Sequence, residues 1–206
     1  MKVLSSFYYL LVIGALWLVC SLPVVTVGAS FCAMYYAVEK TVKNNNGYPW
    51  TAFFKSFKEN FIQATIVWFV AIVLYVISLL DFRIIKVFAG DNSGFKFDLA
   101  VLILLIFIIT GWLCFLFPAI ARFENRLLPL MKNSAILAFM NLSVTIVAVA
   151  IIAAVAFAVY KYFPLVFLLP SLATLIHSFF IERIFKRYAL KENCENNVTE
   201  EENNEL

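Results

Sequence analysis

FYYLLVIGALWLVCSLPVVTVGASFCAMYYAV, residues 7–38, has no charged side chain and is interrupted near its middle by Pro23. It lies within an uncharged run, residues 3–38, that would make about 54 Å of straight helix at 1.5 Å per residue. The hydrocarbon core of a bilayer is only about 30 Å thick. The stretch must therefore tilt, bend or divide. Pro23 supplies the break, because it lacks a backbone donor and clashes with the preceding turn, and Gly28 loosens the turn that follows. Two helices are expected, about 5–21 and 25–43, meeting at 22–28. They form either one bent span with a cytoplasmic extension or a hairpin. The run is also too long for the 7–15-residue apolar core of a cleaved signal, so the N-terminus is read as retained.

The rest of the chain repeats this pattern. Uncharged runs cover residues 60–80, 99–121, 133–160 and 162–181, each about the length a spanning helix needs. Of 206 residues 64% are hydrophobic and 14% charged, against about 45–50% and about 25% in soluble domains. The fold class expected is an all-α polytopic transmembrane bundle. It has five spans, or six if the first stretch is a hairpin, plus an interfacial amphipathic helix. Residues 1–190 form one integral membrane domain. Residues 191–206, acidic and without aromatics, read as a disordered cytoplasmic tail. The acceptor-like Asn197-Val198-Thr199 in that tail is incidental on the cytoplasmic side.

Between the first two spans, Asn44-Asn45-Asn46-Gly47 is a turn and Pro49 suits the first turn of a helix. In that helix Trp50, Phe53, Phe54, Phe57 and Phe61 recur on one face, with Lys55 and Lys58 beside them. An aromatic stripe flanked by lysines fits the membrane interface; packing against the bundle is the other reading. The connector 81–98 carries Phe82, Ile84, Ile85, Val87 and Phe88 and is expected along the outer surface. Turn residues 90–94 follow, and Asp98 caps the third span.

Loop Lys and Arg set orientation. With five spans, eleven fall on one side and five on the other; with a first hairpin the split is twelve to four. The richer side, which includes the C-terminus, is assigned to the cytoplasm.

Chemistry is sparse. The uncharged runs leave His177 as the one ionisable candidate at membrane depth. It lies one turn before Glu182-Arg183 and reads as a packing or interfacial histidine rather than a proton carrier. Cys20, Cys32, Cys114 and Cys194 have no metal-ligand or disulfide spacing, so small buried side chains are expected. No phosphate loop or hydrolase motif occurs, no nucleic-acid-sized basic patch exists, and no enzyme activity, cofactor or metal is expected. Trp17–Pro23 and Trp112–Pro118 echo each other weakly, three identities in seven.

Several segments carry a resemblance: residues 15–40 (ALWLVCSLPVVTVGASFCAMYYAVEK), residues 50–65 (WTAFFKSFKENFIQAT), residues 117–125 (FPAIARFEN) and Lys132-Asn133-Ser134-Ala135. The chain resembles the YesL-like family of bacterial membrane proteins of unknown function. The resemblance implies a multi-pass protein of the bacterial cytoplasmic (inner) membrane, associated with carbohydrate uptake, and transfers no catalytic or binding residue. The leading expectation is an accessory or scaffold component whose partners are the lipid bilayer and a carbohydrate uptake transporter complex. A cytoplasmic face built from the aromatic helix and two basic clusters would meet that complex. One alternative is a small permease using the broken helix at Pro23, Thr26 and Gly28. Another is a membrane sensor working through the helix of Trp50, Phe53, Phe54, Phe57 and Lys58.

Overall fold

A computed structural model describes the backbone of residues 2–89, 93–123 and 127–204, and the side chains of 5–83, 99–123, 127–162 and 164–187. The described residues are all-helical. The first apolar stretch divides as its proline requires. Helix α1 (Lys2–Cys20) ends three residues before Pro23, a 3₁₀ turn follows (Val24–Thr26), and α2 (Val27–Ala37) passes into a π-helical turn (Val38–Lys43). The two halves fold back on each other. Trp17 meets Phe31 with ring centroids 5.4 Å apart, while Leu10 and Ile13 share a buried cluster with Ala37 and Val38. The stretch is a hairpin, not one bent rod. The Asn-rich turn closes it, with Asn45 at φ 51° and Gly47 at φ 81°. Both occupy the left-handed region that Gly and Asn tolerate best.

Pro49 then opens α3 (Pro49–Ala89), as expected of a proline in a first turn. The aromatic segment is not a separate interfacial element, however. It runs without interruption into the second apolar run. Nothing between Glu59 and Ile66 breaks a helix, and Asn60 folds its amide back onto Ser56. The connector expected over 81–98 also shrinks. Its apolar residues extend α3, and α4 (Ser93–Arg122) begins well before Asp98. The turn residues Gly90, Asp91 and Asn92 lie outside the described residues, as does the side chain of Asp98.

The fourth run divides at Asn141, whose backbone (φ −116°, ψ 50°) separates α5 (Leu127–Met140) from α6 (Leu142–Lys161). Asn141 donates to the Leu137 carbonyl, and Thr145 donates to the carbonyls of Ala138 and Asn141. The carbonyls freed by the break are thus satisfied locally. The fifth run also departs from the expected single span. It opens with a 3₁₀ turn (Phe163–Phe167), and α7 (Leu169–Asn204) has only its residues before Glu182 in the uncharged run. Pro170 sits in the first turn of α7, where its missing N–H costs nothing. Helix α7 continues through most of the segment expected as a disordered tail. A polar composition removes the drive to bury that segment, but its Lys and Glu residues still favour local helix.

Three helical segments are long and apolar enough to cross a bilayer: Pro49–Arg83, Leu99–Arg122 and Leu142–Lys161. Ser5–Cys20 and Leu127–Met140 are shorter apolar helices. The outward faces of the three long segments are apolar too, with Ile62, Phe69, Ile103, Leu104 and Phe157 all exposed. Such a surface suits lipid and not water.

The second half of the hairpin is the hub of the bundle. Ala29, Cys32, Ala33, Ala37 and Val38 are fully buried, and Phe115, Leu116 and Ile120 from α4 and Ile181 from α7 join their neighbours in one core. Small residues let these backbones approach, which is how helices associate in lipid. Two glycines show how close. A Cβ on Gly14 would lie 1.7 Å from the Phe167 carbonyl oxygen, and one on Gly28 would lie 2.6 Å from the Ala64 carbonyl oxygen. Backbone cannot yield as a side chain can. Gly14→Ala is therefore expected to destabilise the protein by at least about 2–3 kcal/mol, the upper part of the overpacking range. A thermal melt of the purified protein would check this; an unchanged midpoint would show that α1 is not seated against Phe163–Phe167.

Candidate functional site

The break at Pro23, Thr26 and Gly28 is closed by hydrogen bonds. The Thr26 hydroxyl lies 2.6 Å from the Cys20 carbonyl oxygen and 2.8 Å from that of Pro23, so its one proton is shared between them. Ser30 donates to the Thr26 carbonyl at 3.0 Å. Trp68 of α3 donates its indole N–H to the Val24 carbonyl at 2.7 Å. Gly28 allows this contact, since a side chain there would strike Ala64 and Trp68. The tip's side chains are apolar and outward, with Leu22 76% exposed. Four of its carbonyls, those of Cys20, Pro23, Val24 and Thr26, are thus paired, while its outward surface is mostly hydrocarbon.

The aromatic stripe of α3 is divided between packing and exposure. Phe53 is completely buried, whereas Trp50 is 45% exposed. Phe53 stacks on Phe57, and Phe57 meets Phe61. These three anchor the helix to the hairpin. Trp50, Phe54 and Lys58 face outward, and Trp50 stacks on Tyr48. The Lys55–Glu59 pair nearby is exposed on both sides and adds little stability. The stripe is principally a packing face.

Sequence reading missed a buried ionic cluster. Glu182 of α7 is 6% exposed and pairs with Arg122 at the end of α4. Lys43, from the π-helical turn, reaches the same carboxylate at 3.9 Å and the Ser178 carbonyl at 3.4 Å. Glu39, one turn before Lys43, shares a hydrogen bond with Glu182. Arg122 lies over the rings of Phe123 and Phe185, and Lys43 over Phe179, which adds cation–π attraction. Two carboxylates so close cannot both ionise freely. Burial, the hydrogen bond to Glu182 and its negative charge push Glu39 up to about 7, against the pull of Arg122 and Lys43. Burial also opposes ionisation of Glu182, but the hydrogen bonds from Glu39 and Arg122 and the two cations outweigh it and hold Glu182 below its usual range. The pair therefore shares one proton, donated by Glu39. The available signal was the 35/39/43 spacing of Tyr, Glu and Lys on one helical face; the contribution of α7 required the tertiary fold. Glu124 and Arg126, which follow Arg122 in the sequence, lie outside the described residues.

Beside this cluster lies a cavity of about 430 Å³, lined from α1, α2, α3, α4, α6 and α7. Its walls are mostly aromatic and aliphatic, and among the described residues no Asp, Glu, Lys or Arg lines it. His177 is one of its lining residues, which is the packing role expected of it. Buried polar side-chain atoms without a hydrogen-bond partner among the described residues include Trp17 Nε1, the Tyr35 hydroxyl and His177 Nε2. All three residues line the cavity. Tyr75 and Thr110 also line it, but they bond to each other at 2.8 Å. Of the four cysteines, Cys32 and Cys114 are buried and Cys20 half-buried, as expected, and the side chain of Cys194 lies outside the described residues.

The fold defines a class: a protein all-helical among the described residues, with three helices long and apolar enough to cross a membrane. Within that class, residues 10–82 match the profile of a family described as protein of unknown function, DUF624. The matched stretch begins within α1, contains the whole hairpin tip and α2, and ends late in α3. No curated protein and no solved structure matches the chain.

The cluster carries a pH dependence of definite sign. Glu39 binds its proton more tightly in the folded protein than at its ordinary value of 4.5. Its contribution to stability is therefore complete below about pH 4.5 and is lost as pH rises through about 7. Glu182 has the opposite sign, and its contribution is lost only on acidification below its ordinary range. Between pH 5 and 8 Glu39 dominates, and the wild-type melting temperature should fall by a few degrees. Glu39→Gln, which keeps a donor toward Glu182, should flatten that slope. Parallel slopes for the two proteins would exclude the shared proton.

Proposed function

We propose that this chain is a non-catalytic accessory or scaffold protein of the membrane, not a permease that carries solute through its broken helix. The observation that carries this reading is the closed hairpin tip. A transporter's unwound helix presents free carbonyls to an ion or substrate. Here Thr26, Ser30 and Trp68 already occupy the carbonyls of Cys20, Pro23, Thr26 and Val24. The broken helix serves packing.

The topology that accompanies this reading places both ends of the hairpin on the cytoplasmic side. Trp68, which holds the tip, lies about 12 Å along α3 from Asn60 at 1.5 Å per residue, inside the uncharged run. The tip thus reaches hydrocarbon depth and turns back, and its outward Leu22, Val24 and Val25 suit that depth. Irregular backbone is tolerated there only when its polar groups are satisfied by protein. Lys2 then joins the richer side of the twelve-to-four charge split, consistent with cytoplasmic N- and C-termini. The cytoplasmic membrane of a bacterium as the location, and a carbohydrate uptake transporter as the partner, follow from the family resemblance alone. The exposed Trp50, Phe54 and Lys58 at the start of α3 would form part of the contact surface.

Native co-purification tests the reading. The full chain, extracted gently from membranes, should bring down a solute-uptake transporter, and Trp50→Ala with Phe54→Ala should weaken recovery several-fold while the melting temperature holds. Recovery of the chain alone, together with solute flux in reconstituted vesicles, would reverse the assignment. A reporter fused before Lys2 should read cytoplasmic; an external reading would remove the hairpin topology.

A further inference from the structure

We propose that the cavity bounded by Trp17, Tyr35 and His177 binds an uncharged long-chain amphiphile drawn from the bilayer, with a single oxygen-bearing head. The inference goes beyond the accessory role and does not depend on which transporter is the partner. Three observations converge on it.

The first is the composition of the walls. They are dominated by apolar carbon, with Phe31, Leu113, Phe117 and Val155 among the lining side chains. Such a surface stabilises a hydrocarbon body by about 25 cal/mol per Å² removed from water. It disfavours a sugar, whose many hydroxyls would be buried unpaired at a cost of about 1–3 kcal/mol each.

The second is the set of free polar groups. Trp17 offers an N–H donor, Tyr35 a hydroxyl and His177 a ring nitrogen, and none has a partner among the described residues. Tyr35 is only 3% exposed. Buried polar atoms are rarely left unpaired, and a ligand alcohol, which both donates and accepts, has the chemistry to pair with such groups. A charged head fits poorly, because among the described residues no cation lines the cavity and the neighbouring Arg122 and Lys43 are held by Glu182.

The third is access. Ile152 and Ala156 of α6 line the cavity and are nevertheless exposed, Ile152 by 46%. The α6 wall therefore communicates with the apolar exterior of the helix, where lipid lies, and a membrane-dissolved ligand needs no aqueous route.

The test uses the full chain in phosphatidylcholine nanodiscs. The probe is octadecanol with a photoactivatable diazirine at mid-chain, added at low mole fraction, and the labelled residues are mapped by mass spectrometry. Labelling should concentrate on cavity residues, saturate, and be displaced by unlabelled octadecanol. Ionised stearate at pH 8 should displace at least tenfold less well, and maltose not at all. Tyr35→Phe, which keeps the ring, should weaken displacement about fivefold, the equivalent of one hydrogen bond of about 1 kcal/mol. Ala148→Phe, which fills the cavity from α6, should reduce cavity labelling at least tenfold. Where that variant does not fold, Ala173→Leu gives the same reading from α7. Unsaturable labelling spread over outward residues such as Phe69 and Ile103 would overturn the proposal. So would displacement by stearate equal to that by octadecanol, or displacement by maltose.

Discussion

The structure depends on satisfying the backbone where the first apolar stretch breaks. Without water, an unpaired carbonyl costs several kcal/mol, so Pro23 can exist in this stretch only if nearby groups accept the task. One threonine hydroxyl, one serine hydroxyl and one indole N–H do so. Two of these donors are local in sequence and the third comes from α3. The turn is therefore complete only when the hairpin has docked. Local structure and tertiary packing are coupled at Trp68, and the close seats of Gly14 and Gly28 follow from the same docking.

Once the hairpin is docked, its second half becomes the common neighbour of α1, α3, α4 and α7. This arrangement gathers Glu39, Lys43, Arg122 and Glu182 at one end of the core, and Trp17, Tyr35 and His177 around the adjoining cavity. The residues of each group come from different helices. Neither group can form in a fragment that lacks α7. The match to a family over residues 10–82 covers the hairpin and most of α3, but none of the α4 and α7 residues that complete these groups.

Much of the architecture was legible because lipid imposes a simple code. Apolar runs marked the helices, Pro23 marked the break and Asn44–Gly47 marked the turn. Legibility failed where an uncharged run conceals an internal boundary. The run 133–160 looked like one span; Asn141 is a break within it, with its side chain pairing a freed carbonyl. The last run looked like one span, yet its first residues form a 3₁₀ turn. The aromatic stripe was correctly placed on one face, but periodicity cannot say whether that face meets lipid or protein. Phe53 lies against the hairpin and Trp50 does not. The ionic cluster was invisible for a related reason: Glu39 and Glu182 stand just outside uncharged runs, where a charge looks like a loop marker. His177 was read as a packing or interfacial histidine from its distance to Glu182, and only the tertiary fold shows that it lines the cavity.

The uninterrupted α3, 41 residues long, extends about 61 Å at 1.5 Å per residue. That is about twice the thickness of the hydrocarbon it must cross. A rod of that length has one soft coordinate in a bilayer, its tilt. The hairpin is clamped to the lower half of the rod by backbone-to-backbone contact at Gly28 and by the indole bond at Val24, so it cannot lag behind. A membrane that thins or thickens would lean the rod and carry the hairpin with it. The whole hub would turn as one body against α6, the least buried of the three long apolar helices.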